Sequence, residues 1–328
     1  MNATAIRAGF LTSVQDLGRT GFREFGVSLG GALDPHALRV ANLLAGNDES
    51  AAGLEITFGG LRLRFVDDRI ATWCGGDFNA RIGSTSLAAG HPALIRAGEE
   101  FSIESPAIGC RAWLAISGGI AVPLVLGSRS GDLRAGFGGV RGRPVRDGEE
   151  FPLGENPERA KILIKKLRGE KVARWKPAHD WSSTARREPV LRFVRGVDSD
   201  RFNDSAIERF ATEKFFASPD SDRMGIRFDG PRLERNDDVD LVSEAVAPGT
   251  VQVPPSGKPI LLLNDCQTIG GYPKIAHVIT VDLPVAAQLC PGDRVRFAEI
   301  SLRDAHALLL GRERDLEQFR RGLESHFQ

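Results

Sequence analysis

The chain has 328 residues, more than one ordinary core accommodates, so two domains are the default expectation. Hydrophobic residues make up 41% and charged residues 26%, an ordinary globular composition. Lys+Arg equals Asp+Glu at 43 each, which excludes a global field drawing the chain to nucleic acid or anionic lipid.

In chain order, the first signal is a polar cluster, Thr12-Ser13-Val14-Gln15-Asp16-Leu17-Gly18-Arg19, lying at a turn. Gly30-Gly31-Ala32-Leu33 then leads to a helix start, with Asp34 as N-cap, Pro35 as first helical residue and Gly46 as terminator. The glycine-rich approach exposes backbone N–H groups suited to an anion, but Asp34 competes for them as the cap. Leu54, Ile56 and Phe58 alternate with polar or small residues, Gly59-Gly60 intervene, and Leu61, Leu63 and Phe65 resume the alternation. That arrangement predicts a hairpin. A turn at 97–99 feeds a strand, much as a turn at 290–293 does later, and Arg111–Ser117 reads as another strand. Gly127-Ser128-Arg129-Ser130-Gly131-Asp132-Leu133-Arg134 sets arginines around a Ser/Gly turn, either to grip a carboxylate bidentately or to form a surface Arg–Asp pair.

Residues 155–188 are polar and basic apart from one possible strand at Ile162–Leu167. They carry no interleaved aromatics of the kind nucleic acid would stack on. We place the first domain at 1–165, a connection at 166–188 and the second domain at 189–328. Val190–Arg195 opens the second domain as a strand, and Ser205-x-x-Glu208 reads as a capping box for a short helix. Ser218–Gly225 forms a third polar cluster, with Asp222-Arg223 as a candidate internal ion pair. Strands follow at Thr250–Val253, Ile260–Leu263 and Arg294–Ala298, and Ser301 caps a C-terminal helix expected over 302–324. The chain is therefore mostly β with a few short helices, as 37 Gly and 18 Pro also suggest.

The densest polar cluster is Asn264-Asp265-Cys266-Gln267-Thr268-Ile269-Gly270-Gly271-Tyr272-Pro273, directly after the buried Ile260–Leu263 run. Asp265 can accept a proton or orient a water, Gln267 can read an amide, and Tyr272 adds a phenol. Gly270 and Gly271 allow close backbone approach. Asp265, Gln267 and Tyr272 form the first-rank catalytic set, with Gly270, Gly271, Gln15, Asp16, Arg19, Arg129, Asp222 and Arg223 as substrate-binding candidates.

Other chemistries lack their patterns. Pro255-Ser256-Gly257-Lys258 is superficially similar to a phosphate loop, but Gln252 and Pro259 stand where its first glycine and its hydroxyl belong. The four cysteines are scattered and the six histidines show no ligand spacing, so no disulfide framework and no metal are expected. The start lacks a basic-then-apolar leader and no apolar run approaches a membrane span, so the expected location is cytoplasmic.

In combination the clusters are recognisable. The 12–19 motif, Gly31-Ala32-Leu33-Asp34 with Ala41-Asn42 and Gly46-Asn47, Leu54-Glu55-Ile56-Thr57, Leu126–Asp132, Ser221–Gly225 and the stretch from Gln252 to Pro273 follow one order. With them the chain resembles the KipA / allophanate hydrolase subunit 2 family, over about residues 9–305. That family is also described as the C subunit of 5-oxoprolinase, or as biotin-dependent carboxyltransferase-like. The resemblance implies two tandem cyclophilin-like β-barrel domains. It implies two partners, a KipI-like B subunit together with a LamB/YcsF-type A subunit. The assembled family members hydrolyse the small molecule 5-oxoproline to glutamate with ATP. A carboxyltransferase acting on a urea-type substrate with carboxybiotin, and a regulatory antagonist of a KipI-like kinase inhibitor, are the alternatives. Leu33, Gly30 and Ile269 stand where methionine, serine and a second threonine are frequent, and Ile269 lacks the hydroxyl a ligand role would need. No amidase Ser-Ser-Lys signature is visible, so allophanate hydrolysis itself is not expected.

Overall fold

The computed structural model describes residues 1–237 and 241–328, except for the side chains of His179 and Asp180. Two compact units emerge: unit 1 comprises 1–19, 30–185 and 315–328, and unit 2 comprises 20–29 and 186–314. The main division falls at Ala185/Arg186, inside the expected connection. Two segments depart from the expected partition: 20–29 clusters with unit 2 and 315–328 with unit 1.

Unit 1 is built on a nine-stranded sheet. Its strands are β1 (Asn2–Ala8), β2 (Leu11–Gln15), β3 (Gly53–Thr57), β4 (Leu61–Phe65), β5 (Arg69–Ile82), β6 (Thr85–Leu87), β7 (Ala93–Ile95), β8 (Glu100–Ile116) and β9 (Glu149–Pro152). The order is β2-β3-β8-β4-β1-β9, and β5 pairs with β6, β7 and β8. Period-2 alternation drives this sheet: Leu61, Leu63 and Phe65 are buried while Arg62 and Arg64 face out toward Glu100.

The expected hairpin does not form. β3 and β4 instead follow one another along one edge of β8, β3 against its 111–114 end and β4 against its 100–103 end, while β5 pairs along the other edge. Phe58, Gly59 and Gly60 have φ of 57°, 71° and 81°, and they form a left-handed interruption between the two strands. The Phe58 N–H donates to the Cys110 carbonyl and the Gly60 N–H to that of Ile103, so the connection stays bonded to the same edge of β8 and the chain runs on in one direction instead of reversing.

Helix α1 (Pro35–Leu44) forms as expected, with Asp34 accepting from the Ala37 N–H at 2.8 Å and Leu38, Ala41 and Leu44 buried. At 158–166 the structure has helix α2 (Glu158–Lys166) instead of the expected strand. Ala160, Leu163, Ile164 and Leu167 are the buried positions, a spacing of three and four that only a helix turns to one side. Helix α3 (His179–Ser182) completes the helices that start in this unit.

Unit 2 is a closed seven-stranded barrel, β10-β17-β14-β15-β12-β11-β18. The strands are β10 (Val190–Arg195), β11 (Phe215–Ala217), β12 (Gly225–Asp229), β14 (Thr250–Gln252), β15 (Ile260–Leu262), β17 (Lys274–Val278) and β18 (Arg294–Glu299). A parallel β10–β18 pair closes it. Outside the barrel, β13 (Glu244–Ala245) pairs with β16 (Ile269–Gly270) as a small flap. Helix α4 (Asp204–Thr212) lays Phe210 against Phe297 at 4.3 Å between centroids, within a cluster of core phenylalanines. Its cap is Asn203, which accepts from the Ala206 N–H at 2.7 Å, so Ser205 sits one residue inside the helix and the expected capping box is not used. Helix α5 (Leu283–Ala286) is short, and α6 (Leu302–Leu323) starts at Ser301, whose hydroxyl accepts from the Asp304 N–H at 3.1 Å. The chain is mostly β with few helices and a C-terminal helix, in line with the fold expected from sequence. Among the described residues no helix is long and apolar enough to cross a membrane.

Candidate functional site

The polar stretch after β15 is held from two sides within unit 2. Arg223 grips Asp265 with both arms of its guanidinium, Nε to Oδ2 at 2.8 Å and Nη2 to Oδ1 at 3.0 Å. Both side chains are nearly buried, at 7% and 8% exposure, which makes the pair a fixed brace. Backbone bonds reinforce it: Leu263 N–H donates to Met224 O at 2.8 Å and Asp265 N–H to Arg223 O at 3.2 Å. The expected Asp222–Arg223 pair is therefore absent. Asp222 Oδ1 instead accepts from the N–H groups of Met224 and Gly225 at 2.8 and 3.3 Å, the local turn its short side chain favours. With both Asp265 oxygens on Arg223, the proton-accepting role expected of this carboxylate has no support in the arrangement.

On the other side, the Arg23 guanidinium donates to the Val246 and Gln267 carbonyls, tying the loop to the flap. Cys266 is fully buried beside Val246 and Leu262, and burial pushes its thiol upward from the ordinary range, so it is packing rather than a nucleophile.

Above this brace the barrel wall presents an outward-facing row. Arg227 on β12 is paired with Ile260 on β15, which is paired with Gln252 on β14. Side chains opposite one another across antiparallel strands share a face, so these three line up, while Ile226, Leu261 and Val251 point into the barrel and are buried. A cavity of about 170 Å³ opens on this row, with Gln267 and Tyr272 on its rim. Asp220, Asp222 and Met224 also line it, on the loop whose Ser218 and Ser221 bond the Arg227 backbone. Gln252 Nε2 donates to the Tyr272 carbonyl at 3.2 Å, and its Oε1 accepts from Gln267 Nε2 at 3.5 Å. A Gln amide whose NH2 is so engaged keeps its carbonyl oxygen as an acceptor for a ligand N–H.

The structure thus brings Gln267 and Tyr272 to one cavity, with Asp222 at its edge, and leaves Asp265 and Arg223 beneath as the brace. Gly270 approaches Gln252: a Cβ there would lie 2.7 Å from Gln252 Nε2. Gly271 faces the flap, where a Cβ would lie 3.1 Å from the Leu241 carbonyl. Three residues escaped the sequence reading. Gln252 carried a signal, an amide ending a buried strand; Arg227 reads as an ordinary exposed strand position; and Arg23 lies more than 200 residues upstream of its acceptors, with no local sign of its role.

The remaining candidates form their own cluster inside unit 1. Asp16 Oδ1 accepts from the Ser128 and Ser130 hydroxyls, both at 2.6 Å, and from the Gly18 N–H at 2.8 Å. Its Oδ2 accepts from the Arg129 N–H at 2.6 Å. Gln15 Nε2 donates to Ser13 Oγ and the Gly131 carbonyl, and the buried Arg19 donates to the Val125 and Ser130 carbonyls beneath the Phe137 ring. Asp16, Gln15 and Arg19 therefore pin the 125–139 loop to β2. Arg129 contributes its backbone to this knot, and no side-chain hydrogen bond or ion pair engages its guanidinium among the described residues. Among the described residues no group of three or more His, Cys, Asp or Glu is placed to hold a metal, and the His179 side chain lies outside them. At the phosphate-loop look-alike, Lys258 Nζ is engaged by Asp229 at 2.6 Å and Gly257 lies against Arg232, so that turn does not fit a nucleotide's phosphates.

The chain matches the carboxyltransferase domain family, subdomain A and B, over residues 25–299. It is 39% identical to the C subunit of 5-oxoprolinase from Escherichia coli (strain K12), covering 95% of this chain and 96% of that protein. The corresponding Haemophilus influenzae 5-oxoprolinase protein is 35% identical, with 94% of each chain covered. Among solved structures, Kluyveromyces lactis urea carboxylase superposes with a TM-score of 0.88 at 26% identity, covering 97% of this chain and 29% of that one. The order of motifs, the β architecture and these matches agree, and the chain belongs to the carboxyltransferase domain family, subdomain A and B.

Proposed function

We propose that this chain is the C subunit of an ATP-dependent 5-oxoprolinase. With a KipI-like B subunit, and with a LamB/YcsF-type A subunit, it hydrolyses 5-oxoproline to L-glutamate in the cytoplasm. The observation that carries this reading is the match at 35–39% identity, over nearly the whole of both chains, to two proteins named as the C subunit of 5-oxoprolinase. The cavity of unit 2 supports it from below. It suits one small molecule, and the linked amides of Gln252 and Gln267 are oriented to read an amide edge. Lactam opening is the chemistry such a reader serves, and the coupled ATP supplies its driving force through the complex. Since the Lys258 turn does not fit phosphates, we route no step of this chain through the nucleotide.

The test is reconstitution: the three subunits are co-purified and glutamate release is followed from 5-oxoproline with ATP. Glutamate formed only when all three are present is expected; a full complex that forms none, with verified 5-oxoproline and ATP, removes the reading. The fold likeness to urea carboxylase favours one alternative, carboxyl transfer from carboxybiotin to a urea-type amide. Biotin enters only there, and the same preparation assayed with urea, a biotin carboxylase and its carrier distinguishes the two.

A further inference from the structure

In this chain, arginines on exposed strand positions are usually spoken for. Arg62 and Arg64 pair with Glu100, Arg192 with Asp282 and Arg195 with Glu299. Arg227 differs. Its backbone is fixed: the N–H donates to Ser221 Oγ at 3.1 Å, the carbonyl accepts from the Ser218 N–H at 2.8 Å, and β12 is locked to β15 through the Arg227–Ile260 pair. Its guanidinium, by contrast, makes no hydrogen bond or ion pair among the described residues, and Arg227 lines the cavity. The acid two positions on, Asp229, is already taken by Lys258, and Asp222 is committed to its turn. A fixed backbone with a guanidinium in no direct ion pair, at a concave site, is the arrangement of an anion anchor.

The row dictates what that anion belongs to. Two strand spacings of about 4.8 Å separate Arg227 from Gln252, with Ile260 as an apolar floor between them. From one end to the other the wall therefore offers an amide pair, a hydrocarbon surface and a cation. We infer that Arg227 is the specificity-determining residue of this site, binding the carboxylate of a small amide-bearing acid whose amide lies at Gln252 and Gln267 and whose methylene carbons rest on Ile260. The inference rests on the proposed 5-oxoproline reading and sharpens it. A lactam carrying a carboxylate meets all three parts of the row, whereas urea, neutral and without methylenes, meets only one.

The experiment compares complexes co-purified with all three subunits and carrying Arg227, Arg227→Lys or Arg227→Gln. For Arg227→Gln, KM for 5-oxoproline is expected to rise about 10- to 100-fold with kcat within roughly threefold, and Arg227→Lys to fall between. Inhibition by the neutral lactam 2-pyrrolidinone should be unchanged, a pattern a merely structural role does not produce. An unchanged KM for 5-oxoproline in a folded Arg227→Gln complex overturns the inference while leaving the 5-oxoprolinase reading intact. If the wild-type complex is inactive, ligand-observed NMR of 5-oxoproline with the full chain decides. Binding lost in Arg227→Gln upholds the carboxylate anchor without the reaction, and binding absent or indifferent to the substitution overturns it.

Discussion

At the residue scale, the Arg223–Asp265 brace changes what a substitution there means. From sequence, Asp265→Asn reads as the loss of a base. In the structure it breaks a bidentate pair whose members are 7% and 8% exposed, leaving a buried guanidinium without its counter-charge. Breaking such a pair from one side costs about 3–5 kcal/mol. Both Asp265→Asn and Arg223→Met should therefore lower the urea midpoint of the isolated chain by a similar amount. An Asp265→Asn chain with an unaltered midpoint but a dead complex would instead return Asp265 to the chemistry. His277 gives a second reading of burial. Desolvation lowers its pKa below the ordinary histidine value of 6.5, so the unfolded chain binds the proton more readily than the folded one. Its contribution to stability is thus fully present above pH 6.5 and is lost as the pH falls through the lowered folded pKa. His277→Gln should flatten the pH dependence of the unfolding midpoint in that acidic window, and an identical profile in the variant would show that another group titrates. These residues also mark what was legible. Gln267 and Tyr272 stood out because they crowd a strand end, whereas Gln252 and Arg227 join them only through register across three strands, which no local pattern encodes.

At the scale of elements, individual strands were easier to read than their neighbours. The alternation of Leu61, Leu63 and Phe65 identifies β4, and Gly59-Gly60 identifies an interruption. Yet the same signal fits a hairpin and an interrupted continuous edge, because the strand that both runs pair with is β8, supplied from further along the chain. The close passage against β8 explains why the glycines are needed. A Cβ on Gly59, at φ +71°, would lie 2.1 Å from the Glu104 carbonyl oxygen, inside any contact distance, and that neighbour is backbone. Gly98 shares a left-handed φ of +80° but meets nothing within 4 Å. Gly98→Ala should therefore cost only the left-handed strain of about 1–2 kcal/mol. Gly59→Ala must add displacement of β8 and should lower the thermal midpoint several degrees further, or prevent folding. Equal midpoints for the two variants would mean that β8 yields at this contact. The missed helix α2 has a simpler cause: Ile162, Ile164 and Leu167 suggest alternation, but Ala160 and Leu163 complete a helical stripe, and the period of the whole segment decides.

At the scale of the molecule, the proposed function requires company. The proposed site offers amide readers and an anchor, Asp265 is committed to Arg223, and the phosphate-loop look-alike is occupied by its own Lys258–Asp229 pair. We propose that a catalytic base and a nucleotide seat come from other chains, in keeping with the naming of the relatives as one subunit of an enzyme. In Kluyveromyces lactis urea carboxylase the matching region is 29% of one longer polypeptide, where linkage keeps neighbouring domains at high effective concentration. Separate subunits lack that help and must bury an interface of about 1,200–2,000 Å² or more to stay together at cellular concentrations. We therefore expect this chain and the proposed KipI-like subunit, co-expressed and diluted to low micromolar concentration, to leave a size-exclusion column as one species. The Arg227→Gln and Gln267→Ala chains should co-elute equally well, because both side chains line a small-molecule cavity. If either substitution splits the complex, the cavity wall is itself part of the contact. Should the unaltered chains elute apart while this chain alone turns over 5-oxoproline, the missing groups reside in this polypeptide, and the division of labour argued from its committed side chains is wrong.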